Sequence, residues 1–427
     1  MIFGFALLFF LSFWWNAIYP FAWILVFVFI LLVFGDITAL FTGKGILAKR
    51  ILPEKFSNSD KNKVEIQIEN DYAFQIQLEI IEELPIQFQK RDFLKKTFLA
   101  AKEQSKIKYY LKPVERGEYI FGKLNVYANT ALGFAKRRYS FQNQQKVKVY
   151  PSFIQMRKYD FLAIDNRISQ MGLKKIRRIG HTMEFEQIKE YVSGDDIKTI
   201  NWKATAKRGN LMVNQYQDEK SQPIYAIINT GRVMKMPFEN LKLLDYAINS
   251  TLAFSNIALK KNDKVGMLTY ADKVADFLPA KNRKTHLNLL LEKLYHIDTD
   301  FRDSSLDLLY AHIRRKITQR SLLILYTNFE HINSLNRQLP YLKAIAKKHL
   351  LVVVFFENTE LKKLSVKQAE NIAEIYDQTI AYQFENDKKE MLLKLRKHGI
   401  QAVLTTPKNL TVSTINKYLE LKSRGLF

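Results

Sequence analysis

Leu322–Phe356 reads LLILYTNFEHINSLNRQLPYLKAIAKKHLLVVVFF. It opens on the apolar run Leu322–Tyr326 and closes on another, Leu350–Phe356. Continuous runs of this length, without polar alternation, are the mark of strands buried on both faces. Between them, Leu335–Lys348 reads as a helix. Strand, helix and strand in this order specify a right-handed crossover and a parallel pair.

The same texture extends in both directions. Ile224–Thr230 (IYAIINT) and Lys264–Tyr270 (KVGMLTY) are further buried strands. Leu241–Lys260 places Leu244, Ala247, Ile248, Thr251, Leu252 and Ser255 on one helical stripe. Arg283–Tyr295, Ser305–Ile317 and Lys388–His398 read as helices, and Ala402–Leu404 as a short last strand. Residues 224–427 are therefore expected to form an α/β domain with a doubly wound parallel sheet. Ligands of such sheets bind at the C-terminal ends of the strands, which directs attention to Thr230–Pro237, Ala271–Asp276 and Thr327–Ile332. No GxGxxG, GxxxxGK[ST] or GxSxG motif follows any strand, so neither nucleotide binding nor an α/β-hydrolase elbow has a motif behind it.

Residues 45–151 have a different rhythm. Lys63–Asn70 (KVEIQIEN) and Phe74–Leu84 (FQIQLEIIEEL) alternate apolar and polar residues around an Asn70-Asp71 turn. KIKYYLKP, EYIFGKLNVYAN and KVKVYP continue the alternation, while Lys90–Lys106 reads as a long loop or short helix. Short strands with turn signals and no long helix predict an antiparallel β-sandwich of the immunoglobulin or fibronectin kind.

Ahead of this module, residues 1–44 begin with a run from Met1 to Gly35 that has no charged side chain. A crossing helix needs about 20 apolar residues. Trp14-Trp15-Asn16 and Tyr19-Pro20 divide the run into two expected spans, Ile2–Ile18 and Phe21–Phe41, forming a transmembrane hairpin with Asp36 at the interface. A signal peptide has neither a basic n-region nor an A-x-A-like site behind it, and one long tilted span plus an interfacial segment is the closer rival. Lys44, Lys49 and Arg50 follow the second span, so the positive-inside rule places the body in the cytoplasm, on the inner membrane.

The 427 residues carry 66 Lys and Arg against 42 acids, a formal charge of +24. Such a charge attracts an anionic partner: lipid head groups, nucleic acid or an acidic protein. Basic residues are spread through every domain, without a recognised nucleic-acid motif, so no specific nucleic acid is expected, and membrane lipid accounts for the charge. Cysteine is absent and the seven histidines are scattered, which excludes a thiolate metal site and argues against a histidine one. No cofactor is expected.

Residues 152–223 read as a connector. It holds the basic run Lys174-Lys175-Ile176-Arg177-Arg178, between Gly172 and Gly180, and then the block EFEQIKEYVSGDDIKTINWKATAK at Glu184–Lys207. The block mixes Glu184, Glu186, Glu190, Asp195 and Asp196 with Lys189, Lys198, Lys203 and Lys207 around a Gly-Asp-Asp turn and the lone Trp202.

RGEYIFG (Arg116–Gly122), TALGF (Thr130–Phe134), this block, and the strand ending in Asn229-Thr230-Gly231-Arg232 resemble the bacterial domain-of-unknown-function 58 proteins. The closing LTTPKNLTVSTINKYLELKSRG (Leu404–Gly425) resembles versions common in Bacteroidetes-like sequences. The resemblance runs from about residue 110 to the C-terminus. It implies a von Willebrand factor A-like domain and frequent association with MoxR-type AAA+ ATPases, and it carries over no defined activity. Von Willebrand A domains often hold a cation through Asp-x-Ser-x-Ser after the first strand, supported by a distal Thr and Asp. The matching positions are Asn229, Gly231 and Val233, and Thr327-Asn328 stands where the distal Asp is expected. Hard cations need anionic oxygen, so no metal is expected.

The block has three readings. In one it is a structural turn, with Trp202 plugging a junction and the acids paired to lysines. In another it is a docking surface formed by Glu184, Phe185, Tyr191, Gly194, Asp195, Asp196, Asn201, Trp202, Lys203 and Ala206. In the third, a carboxylate acts as general acid or base of a hydrolase, although no nucleophile is paired with it. The expectation adopted is a non-enzymatic, membrane-anchored cytoplasmic adaptor whose partner is a protein of the MoxR-type AAA+ kind. Nucleic-acid or anionic-lipid binding through the basic surface is the alternative.

Overall fold

Pro223–Asn229 is buried at every residue because it is the inner strand of a six-stranded sheet. Across the sheet the strands run Val274–Lys281, Lys264–Tyr270, Pro223–Asn229, Leu322–Tyr326, Leu350–Phe356 and Gln401–Thr405. The last five are mutually parallel, with Ile224 beside Val265 on one flank and beside Leu322 on the other. Alternate side chains serve two cores. Ile224, Ala226 and Ile228 face the helices Leu243–Lys260, His286–His296 and Leu410–Ser423. Tyr225 and Ile227 face Leu306–Lys316, Ile332–Lys348 and Ile372–Lys397.

The expected purely parallel sheet needs correction at one edge. Val274–Lys281 pairs antiparallel with Lys264–Tyr270. Ala271–Lys273 is far too short for a crossover, so only a hairpin can form there. The expected loop Ala271–Asp276 therefore runs into this edge strand.

The computed structural model of this chain describes residues 2–16, 18–42, 45–141, 144–164, 184–193, 195, 197–217, 223–239, 241–283, 285–299, 302–366 and 371–427. It divides into two compact units, Met1–Tyr150 and Pro151–Phe427. The stretch 152–223, read as a connector, starts inside the second unit as a helix, Phe153–Ile164. Phe153, Met156 and Tyr159 pack on the sheet's first core, and Ser152 N donates to Asn249 Oδ1 at 2.8 Å. The basic run Lys174–Arg178, with Gly172 and Gly180, lies outside the described residues.

In the first unit, three sheets share one apolar core built on Phe56, Ile66, Leu78, Tyr119 and Val126. Their strand pairings are antiparallel except between Lys55–Ser57 and Gln145–Tyr150. Part of Lys90–Lys106, expected as loop or helix, is the strand Leu94–Leu99, paired with Ile76–Glu82. Two apolar helices precede the sheets, Ile2–Ser12 and Ile18–Thr42, with ring contacts Phe5–Phe29 and Phe9–Trp23 at 5.3 and 5.6 Å. Among the described residues, only Ile18–Thr42 is a helix long and apolar enough to cross a membrane. Ile2–Ser12, expected to reach Ile18, rises only about 16 Å.

Candidate functional site

Two places on the second unit are candidates for a functional site: the crevice at the end of the inner strand, and the block before it. The strand order reverses around Pro223–Asn229, whose two neighbours come from later in the chain on opposite sides. Loops leaving neighbouring strands diverge at such a point, which opens a crevice at their C-terminal ends.

Asn229 sits there, 2% exposed. Its Nδ2 donates to Ser304 Oγ and Thr327 Oγ1, each at 2.9 Å, and its Oδ1 accepts from Gly231 N at 2.8 Å. The neutral amide thus draws together two hydroxyls and a backbone amide from three loops. A cation at that point would need oxygens where the Nδ2 hydrogens now stand. Gly231 has no room for a side chain: a Cβ would meet Ser304 Oγ at 2.8 Å and Arg302 O at 3.0 Å. Val233 supplies no hydroxyl. Among the described residues, no group of three or more His, Asp or Glu is placed to hold a metal.

In front of Asn229 lies a polar cleft of about 420 Å3, lined by Arg232, Asp272, Asp303, Asp307, Glu330 and Arg337, among others. Arg302 donates to Asp272 at 2.5 Å and holds its carboxyl below the ordinary range. Ser305 does the same for Asp307. These exposed, mixed charges suit a hydrated recognition surface better than proton transfer near neutrality. Replacing Asn229 by leucine removes three hydrogen bonds at net values of 0.5–1.5 kcal/mol each, an expected loss of about 3 kcal/mol. Denaturant unfolding of the full chain checks this. Millimolar Mg2+ is expected to leave the melting temperature unchanged in wild type and in Asn229→Asp, because Gly231 and Val233 still supply no hydroxyl ligand.

The block forms a hairpin, Glu184–Glu190 with Met212–Gln217, and a short helix, Trp202–Arg208. Glu184 and Phe185 lie on its first strand, paired in register with Gln217 and Tyr216. Tyr191 N donates to Leu211 O at 2.8 Å, extending the pairing. Gly194 and Asp196 lie outside the described residues. Asp195 Oδ1 accepts from Lys189 Nζ at 2.9 Å and Oδ2 from Val192 N at 3.0 Å. Lys189 first, then the Val192 amide, hold this carboxyl below its usual value. Asp195 is therefore a brace for the turn, as the acid–lysine pairing predicts.

Asn201 caps the short helix. Its Oδ1 accepts from Ala204 N at 3.0 Å and its Nδ2 donates to Asn214 Oδ1 at 2.8 Å. Lys203 and Ala206 are exposed. Trp202 is 69% exposed and fills no core of the second unit. The structure thus braces the block from beneath and turns its indole outward. Sequence reasoning missed Ser304 and Lys189's specific role. The run Asp298–Ser305, dense in acids and hydroxyls just before a helix, was the available signal for Ser304.

Two solved structures show a loose likeness to this chain. The conserved hypothetical protein BatB from Bacteroides thetaiotaomicron is 13% identical, with a TM-score of 0.31, covering 48% of this chain and 99% of that one. The ASH/PapD-like domain of human CEP192 is 11% identical, with a TM-score of 0.21, covering 25% of this chain and 86% of that one. Among curated sequences, the uncharacterized protein YeaD of Bacillus subtilis (strain 168) is 23% identical over 195 residues. That match covers 45% of this chain and 46% of the relative, so the chain spans about half the length of the curated relative it matches. Residues 187–372, from the block through the sheet, match the model of the family described as protein of unknown function DUF58.

Proposed function

We propose that this protein is a membrane-anchored adaptor that presents the Glu184–Lys207 block to a protein partner. The observation that carries the reading is the indole of Trp202, held outward on a helix that is itself capped and tied down. Val192 and Ile197 are also exposed on the block, as is Leu211 just after it. A large aromatic on a rigid, pre-ordered support loses little entropy on docking, and such residues concentrate binding energy.

In this proposal the sheet unit is a von Willebrand factor A-like domain with a degenerate cation site, of the membrane-anchored type found in Bacteroidetes-like sequences. The partner is a MoxR-type AAA+ ATPase, as the family resemblance implies. Ile18–Thr42 provides the membrane span, the shorter Ile2–Ser12 packs beside it as the first arm of a hairpin, and both units face the cytoplasm.

The test is capture of the ATPase by full-length protein solubilised from membranes. Trp202→Ala is expected to weaken capture by about 2 kcal/mol, roughly thirty-fold. Its melting temperature should hardly change, because truncating an exposed side chain costs at most about 0.5 kcal/mol. Equal capture by wild type and variant, both folded, would refute the role of the block.

A further inference from the structure

Asp36 is a carboxylate in an otherwise apolar helix, and only 2% of it is exposed. Ahead of it, Ile18–Gly35 carries no charge and rises about 27 Å, close to the thickness of a bilayer core. Among the described residues, its hydrogen-bond donors come from one loop. Its Oδ2 accepts from Phe134 N and Ala135 N at 2.9 Å each, and its Oδ1 accepts from the Thr130 hydroxyl. A little further along the helix, Tyr72 O–H and Arg137 Nη1 donate to the Leu40 carbonyl at 2.5 and 2.6 Å, and Arg137 lies 5.1 Å from the Phe41 ring centroid. The last two turns of the helix are thus fastened to the β-unit, which sets the depth of everything attached to them.

From this anchor, the TALGF loop reaches back along the helix instead of away from it. The Phe134 ring lies 5.4 Å from that of Phe29, edge to face. Phe29 stands seven residues before Asp36, about 10 Å deeper along the axis. Leu132 is 55% exposed at the tip. With Leu31, Leu32, Ala39 and Phe74 it lines an open, mainly apolar cleft of about 460 Å3. No residue of Thr130–Ala135 is charged, and the strand leaving the loop begins Lys136-Arg137-Arg138. An apolar tip at hydrocarbon depth above a basic collar at head-group depth is the arrangement that suits a membrane interface.

We propose that Ala131–Phe134 is a second membrane contact, inserted into the bilayer beside Ile18–Thr42, with lipid acyl chains occupying the cleft. The loop then fixes the orientation of the β-unit on the membrane, which a single helix on a flexible joint would leave free. This rests on the reading of Ile18–Thr42 as a membrane span, and the experiment separates the two. The chain has no cysteine, so single cysteines can report position without background. Leu132→Cys, Leu31→Cys and Tyr110→Cys are labelled with a polarity-sensitive fluorophore in the full chain, reconstituted into phosphatidylcholine–phosphatidylglycerol bilayers. Nitroxide-bearing acyl chains then serve as quenchers. Tyr110 is exposed and pairs with Lys63, beyond the end of the strand Ile46–Ile51 that leads away from the helix.

Strong quenching at Leu31 and Leu132, at least threefold above that at Tyr110, is the expected result. Quenching at Leu31 with Leu132 no higher than Tyr110 would place the loop in water and overturn the proposal alone. No quenching at Leu31 or Leu132 would overturn the membrane span and the loop contact together.

Discussion

Replacing Glu82 by alanine is expected to cost the N-terminal unit about 3–5 kcal/mol, because it strands a guanidinium inside an apolar core. The side chains of Arg50 and Glu82 are completely buried and paired through Nε and Oε1. Arg50 Nη2 also donates to Gly122 O at 3.0 Å, and the guanidinium lies 5.1 Å from the Phe121 ring centroid. The Tyr109 hydroxyl donates to the second carboxylate oxygen. Burial pushes the Glu82 carboxyl up, while Arg50 and Tyr109 pull it back. Arginine cannot shed its proton in a protein, so removal of the carboxylate leaves a charge with no means of neutralising itself. The double change Arg50→Met/Glu82→Leu should recover most of the loss, since apolar replacements of similar volume remove the desolvation cost as well. Hydrogen exchange of Ile46–Ile51 and Ile76–Glu82 isolates this unit from the other. A loss below about 1 kcal/mol in Glu82→Ala would show that the pair does not hold the core.

Raising the pH should stabilise the sheet unit through Lys388. This lysine is 9% exposed, donates to Asn328 Oδ1 at 2.7 Å and to the Phe329 carbonyl, and lies 5.9 Å from the Phe355 ring centroid. Burial pushes it down to about 8, with Glu330 and then Asp387 pulling the other way. Glu357, Glu385, Lys362 and Lys389 line the same cavity of about 300 Å3. Because the folded value lies below the unfolded one, the unfolded chain binds more protons between roughly pH 8 and pH 10.4. Stability therefore rises through that window as the buried ammonium is neutralised. Between pH 7.5 and 9.5 the gain should be about 2 kcal/mol relative to Lys388→Met, which has no proton to lose. Referencing to the variant cancels the buried tyrosines. Urea unfolding at the two pH values measures it, and identical pH dependence of wild type and variant would sink the idea.

Much of the sheet was legible because its strands are buried on both faces. LLILY, LLVVVFF and KVGMLTY are short apolar runs without polar alternation, and their structural bounds match the reading. Val274–Lys281 escaped because none of its residues is fully buried and it contains Pro279. An edge strand tolerates proline, since one row of its amides needs no partner. The helix expected at Lys388–His398 begins instead at Ile372. Ile372, Tyr376 and Ile380 are exposed there, so apolar periodicity in that half does not mark a core-facing stripe.

The polar sites were legible only as identities. Asn229 could be seen to stand where a carboxylate was expected, but Ser304 and Thr327, which meet its amide, come from loops 75 and 98 residues away. Arg50 read as a charge on the cytoplasmic side of a membrane segment, whereas the fold buries it against Glu82. Asp36 read as an interfacial oddity, and its donors come from the loop Thr130–Ala135.

By itself, then, the sequence determined the inner parallel strands and the apolar N-terminal helix, because those follow from the spacing of apolar side chains among near neighbours. The tertiary structure alone decided what each polar group does. A buried charge or amide takes its meaning from partners brought in from distant parts of the chain, and no local pattern records which ones arrive.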